Sequence, residues 1–114
     1  VATVNGKTSA SEHGVLQSVW ALGNADTGTP DQLARFPYHS VQISGTFGGA
    51  TVVLEGSDDG VTYFTVSDVQ AQPVSTSSAK RYDVTDVPKH LRPRSSGGSG
   101  TAVTVTITSR SFGH

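Results

Sequence analysis

A chain of 114 residues is the size of one domain, and a domain this small buries only about two-thirds of the surface its unfolded chain exposes, so a single thin core is expected. With 34% hydrophobic residues, 15% charged residues and a formal net charge of −1, the composition excludes a basic field for nucleic-acid phosphates and a polybasic membrane patch. The absence of cysteine excludes a disulfide framework, a thiolate metal site and a cysteine nucleophile, and leaves the redox compartment open.

In chain order, residues 1–13 are polar with little pattern and are expected to form an extended N-terminal arm, with residues 14–114 forming one β-domain. Residues 14–22 carry enough apolar side chains for a strand or a short helix. Strand is preferred, because the run is short and the turn residues 23–30 follow at once. Residues 38–44 and 51–56 are expected to pair across the glycine-bearing connection 45–49, where Gly45, Gly48 and Gly49 permit the positive φ of a reversal.

The next turn is sharper. Ser57, Asp58, Asp59 and Gly60 form an Asp-Gly signal between residues 53–55 and 62–66, which predicts a three-stranded meander. Residues 70–79 are polar and look loose. Short strands are predicted at 80–84 and 89–94, with Pro88 and Pro93 pushing them toward edges or strand ends. Residues 95–100 form a glycine-rich hairpin or loop connection. The clearest periodicity closes the chain: Val103, Val105 and Ile107 alternate with Thr104, Thr106 and Thr108, the pattern of a half-buried strand. The fold class is therefore all-β, a single-domain antiparallel β-sandwich or jelly-roll-like barrel of about six to eight short strands.

Catalytic and metal-binding patterns fail one by one. His13, His39, His90 and His114 show no paired ligand spacing. Asp58, Asp59 and Gly60 lack the spaced oxygen ligands of a calcium loop and read as a turn, and Asp26 and Asp31 are equally unsupported as donors. No G-x-S-x-G elbow is present, and the glycine-rich stretches lead into strands rather than helices, which rules them out as phosphate loops. The chain is expected not to be an enzyme, to have no catalytic or metal site and to bind no cofactor.

Binding features remain. Trp20, Phe36, Phe47, Tyr63, Phe64 and Tyr82 are read first as core packing and second as a carbohydrate platform; in Tyr63-Phe64 adjacent rings point to opposite faces, which leaves one exposed or at an interface. Lys89, Arg92 and Arg94, with Lys80 and Arg81 nearby, form the only basic cluster, suited to protecting an edge strand or to salt bridges at an interface.

Two resemblances follow from these residues. The strand, turn and aromatic strand of residues 52–64, with Ser57-Asp58-Asp59-Gly60 at the turn and Tyr63-Phe64 beyond it, resemble discoidin-like and other jelly-roll carbohydrate-binding domains. The wider pattern runs from Trp20-Ala21-Leu22 through residues 24–30, residues 40–50 and Leu91-Arg92-Pro93 into the Thr/Val-rich last strand. It resembles small virion proteins of tailed bacteriophages, among them head decoration (cement) proteins that sit outside the capsid, often as trimers, where capsid subunits meet.

That resemblance implies a protein on the exterior of the phage head, assembled in the host cytoplasm, with the major capsid protein as partner, homotrimers favoured, and neither nucleic acid nor membrane bound. A glycan-binding module, or a fibre or tail domain that attaches to the host, is the alternative. Val1, Thr3, Asn5 and Lys7 on the arm, and Tyr63, Arg92 and Arg94 on the domain, are the candidate interface residues.

Overall fold

The computed structural model describes residues 3–4, 7–12, 15–30, 38–85 and 88–110. Eleven strands and no helix occupy them: β1 (Thr3–Val4), β2 (Lys7–Glu12), β3 (Val15–Leu22), β4 (Thr27–Gly28), β5 (Tyr38–Thr46), β6 (Thr51–Ser57), β7 (Phe64–Thr65), β8 (Ser75–Thr76), β9 (Lys80–Val84), β10 (His90–Ser96) and β11 (Ala102–Arg110). Seven of them have five or more residues, within the predicted range. β1, β4, β7 and β8 add two-residue pairings that no periodic pattern can announce.

The strands form two sheets. One runs β1-β4-β10-β6-β7, with β8 also pairing β6; the other runs β2-β3-β11-β5-β9. All pairings are antiparallel except β1 with β4. The core lies between the sheets. Trp20 and Leu22 of β3, Val41 and Ile43 of β5, Tyr82 and Val84 of β9, and Val103, Val105 and Ile107 of β11 face Val52 and Leu54 of β6, Leu91 of β10, and Val66 and Val74. Two aromatic polar atoms are satisfied on the way: Trp20 Nε1–H donates to the Thr29 carbonyl at 3.0 Å, and the Tyr82 hydroxyl spans the sheets to the Ser75 carbonyl at 3.1 Å. The preference for Trp20 and Tyr82 as packing residues holds.

β11 shows the predicted alternation, with Val103, Val105 and Ile107 buried, and it is the central strand of its sheet, paired along its whole length with β3 and β5. The turn at 57–60 is also as expected, with Gly60 at φ 77.

The three-stranded meander is corrected. β5 pairs with β11 and β9, β6 pairs with β10, and the two do not pair with each other; only the β6–β7 hairpin of the meander forms. The glycine-bearing connection carries the chain from one sheet to the other. Gly45 lies at φ 126, and a Cβ there would run into the Ala102 carbonyl of β11, so this crossing needs glycine.

The expected N-terminal arm and the loose-looking residues 70–79 both contribute strands. Thr3–Val4 pairs with β4, and Lys7–Glu12 pairs with β3 through a register shift between Ser9 and Glu12. A polar edge strand carries no hydrophobic period to reveal it. Residues 70–79 contain β8 and the fully buried Val74, whose N–H donates to the Val66 carbonyl at 2.8 Å and whose carbonyl accepts from Leu54 at 3.0 Å.

Pro93 stands inside the sheet rather than at its edge, on β10 between β6 and β4. Ser95 N–H donates to Asp26 on the β4 side at 2.8 Å, so the nitrogen of Pro93, two residues earlier, faces that same side. There β4 ends after two residues and Gly28 lies against the proline ring. The missing donor therefore breaks no ladder.

Candidate functional site

The alternation of β10 sends Leu91, Pro93 and Ser95 inward and leaves His90, Arg92 and Arg94 on the outer face. On neighbouring β6, Glu55 lies directly opposite Arg92, and Val53 lies opposite Arg94. Glu55 is thus the cross-strand neighbour of one arginine and the diagonal neighbour of the other, both within reach of long side chains. Arg92 Nε donates to Glu55 Oε1 and Arg94 Nε to Glu55 Oε2, each at 3.1 Å. Glu55 is 8% exposed.

Tyr63 completes the group. β7 continues the hairpin with Thr65 opposite Glu55 and Phe64 opposite Gly56, which brings Tyr63 to the same outer face. Its ring centroid lies 3.6 Å from the Arg92 guanidinium carbon, a stacked cation–π contact.

Of the candidate interface residues, the structure brings Tyr63, Arg92 and Arg94 into one cluster. Thr3 and Lys7 lie on strands of different sheets; Val1 and Asn5 lie outside the described residues. The wider basic cluster divides. Lys80 and Arg81 belong to β9 of the opposite sheet, where Arg81 pairs with Asp83 at 3.1 Å and Lys80 lies 5.2 Å from the Tyr82 ring. Sequence proximity cannot reveal this, since β9 and β10 are joined by a crossing between sheets. Glu55, the residue that organises the site, was not among the candidates. Its signal is a lone acid in an apolar strand, across from arginines two residues apart.

The 57–62 turn sits at the end of the same face and is held by its side chains. The Ser57 hydroxyl donates to Asp59 Oδ1 at 2.8 Å and accepts from Gly60 N–H at 2.9 Å. Asp59 Oδ1 also accepts from Val61 and Thr62 N–H, each at 2.8 Å. The Thr62 and Val61 amides, then the Ser57 hydroxyl, lower the Asp59 pKa from 3.8 to about 2. This carboxylate caps the turn that the sequence predicts. Beside it a groove of about 380 Å³ is lined by residues that include Asp58, Thr62, Phe64 and Pro88, and Phe64 is 69% exposed.

At one end of the opposite sheet the inward-facing positions turn polar: Ser18, His39 and Ser109 are buried, and His39 Nδ1 lies 2.9 Å from Ser109 Oγ. No group of three or more His, Cys, Asp or Glu able to hold a metal ion occurs among the described residues. His39 and His90 lie apart on opposite sheets, while His13 and His114 lie outside the described residues.

No protein-family model and no curated protein matches the chain in sequence. Solved structures do match in fold. The SPBc2 prophage-derived protein YomS superposes with a TM-score of 0.67 at 16% identity, over 90% of this chain and 100% of YomS. A cupin domain (bp2299) from Bordetella pertussis Tohama I superposes with a TM-score of 0.54 at 10% identity, over 96% of each chain. The chain is an all-β, jelly-roll-like sandwich whose fold is shared, over nine-tenths or more of its length, with a prophage-derived protein and with a bacterial cupin domain.

Proposed function

We propose that this protein is a structural component of a bacteriophage virion, a capsid decoration (cement) protein that binds the exterior of the assembled head and stabilises it. The observation that carries the reading is the fold shared with a prophage-derived protein over that protein's entire length. Two features support a binding role. The outer face of one sheet presents a preorganised charged cluster, Glu55, Arg92, Arg94 and Tyr63. The thin core of a small domain also makes assembly contacts a natural source of further burial. The partner in this reading is the major capsid protein, and the protein acts as a homotrimer. Fractionation of purified virions tests it: the chain co-migrates with intact heads, and its absence from intact particles overturns the reading.

One observation favours a second reading, a glycan-binding or host-attachment domain. Phe64 is largely exposed beside a groove that also holds Asp58 and Thr62, a combination of aromatic face and polar groups that suits a sugar ring. Trp20 is 1% exposed and has no part in such a site. Glycan-array binding abolished by Phe64→Ala supports this second reading, and an array without signal rejects it.

A further inference from the structure

We infer that Arg92 and Arg94, aligned by Glu55 and backed by Tyr63, form a receptor for the carboxylate of an Asp or Glu side chain presented by a protein partner. The virion reading above supplies the partner's identity, a loop of the shell protein; the receptor itself is argued from geometry.

Each guanidinium donates only its Nε–H to Glu55. An arginine carries five N–H donors, so about four per residue remain, and these belong to the Nη atoms at the outer tips. The side chains are 25% and 37% exposed, against 11% for Glu55, so both arginines reach solvent more than the carboxylate that organises them. Residues two apart on one face of a strand stand about 7 Å apart. Two forks at that spacing, one pinned flat against Tyr63 at 3.6 Å, have lost much of the rotamer freedom that binding would otherwise remove. Glu55 acts here as a positioning residue.

Charge selects the ligand class. Two arginines against one glutamate leave a local charge of +1, which a single carboxylate neutralises. A phosphate dianion would carry the three-residue cluster from +1 to −1, and a nucleic-acid backbone would meet a chain of net charge −1. Location selects the source. Neither Arg92 nor Arg94 lines the groove of about 380 Å³ or the second one, of about 310 Å³; they stand on an open sheet face. An ion pair there gains little until neighbouring contacts exclude water, which the peptide chain around an Asp or Glu side chain begins to do and a free small acid does not.

The test is an NMR titration of the full chain, following the arginine side-chain Nε–Hε resonances. The probe is a short capped peptide with two central glutamates; the controls are the same peptide with glutamines and, separately, inorganic phosphate. Saturable shifts at Arg92 and Arg94 with the glutamate peptide alone, unmatched at Arg81, are the expected result. Arg94→Gln, which keeps the Arg92–Glu55 pair, weakens the interaction about tenfold or more, and Arg92→Lys does the same while conserving charge.

Unchanged affinity in Arg94→Gln, equal shifts at Arg81, or phosphate binding as tight as the peptide overturns the receptor. If a variant fails to fold, the comparison of glutamate and glutamine peptides on the unaltered chain still decides. Heads stripped of the protein separate the two readings. Heads that bind the unaltered chain and the Arg92→Gln/Arg94→Gln variant equally well overturn the receptor alone, and heads that bind neither overturn the virion assignment, leaving the peptide titration to judge the receptor.

Discussion

Glu55 lies at 8% exposure between two guanidiniums, and removing it leaves two like charges side by side with their shared acceptor gone. Glu55→Ala is expected to cost about 2 kcal/mol, less than the loss of a fully buried partner because both arginines reach solvent. Glu55→Gln, which keeps one acceptor oxygen, costs less. Urea denaturation followed by Trp20 fluorescence measures both, and an unchanged midpoint for Glu55→Ala would rule out a structural role for the pair. Asp59 offers a different test. Its pKa falls from 3.8 to about 2 on folding, so the unfolded chain binds the proton more readily. The stabilisation is then complete above about pH 4 and is lost as pH drops toward 2. Asp59→Asn should flatten the stability profile across that window, and a profile identical to the unaltered chain contradicts the cap. The turn that Asp59 caps was legible, because its residues lie within three positions of one another. Glu55 was not, because Arg92 is 37 residues away in the chain and only the β6–β10 register brings the two together.

At the scale of the element, β11 is the strand most plainly written in the sequence and the one on which its sheet depends, since β3 and β5 both pair with it. Ile107 is fully buried and Thr104 exposed. Ile107→Ala should cost about 2–4 kcal/mol and Thr104→Ala less than about 0.5 kcal/mol. Comparable losses at the two positions, read from denaturation midpoints, would mean that the alternation does not divide core from solvent. β6 makes the opposite point. Its outward positions Val53, Glu55 and Ser57 are buried along with its inward ones, so period-two reasoning identifies the strand but not which face stays free. The β5–β6 connection carried a hairpin's glycines and made a crossing between sheets. Glycine permits the reversal, whereas the choice of partner strand depends on where β11 and β10 lie.

For the whole molecule, most connections cross from one sheet to the other; β2–β3 and the β6–β7–β8 run are the exceptions among the described strands. The fold is thereby built from non-local pairings. If the protein binds only the assembled shell, mass action makes bound protein raise the resistance of that shell to disruption. Heads stripped of it should come apart at a lower temperature than decorated heads and recover when it is restored. Equal disruption temperatures by calorimetry, with the protein present on the particle, would move it from a stabilising role to a fibre, tail or host-binding one.

By itself the sequence determined what local physics decides: strands rather than helices, the alternation of β11, the turn at 57–60 and the glycine reversals, each settled by residues a few positions apart. Only the tertiary structure decided that β5 and β6 belong to different sheets, that polar residues 7–12 and the buried Val74 join the sandwich, and that Arg92 and Arg94 share Glu55 while Arg81 does not. The reason is that backbone hydrogen-bonding groups are the same in every residue. A strand's pattern states which faces it can bury, and its partner is chosen by the packing of the whole chain.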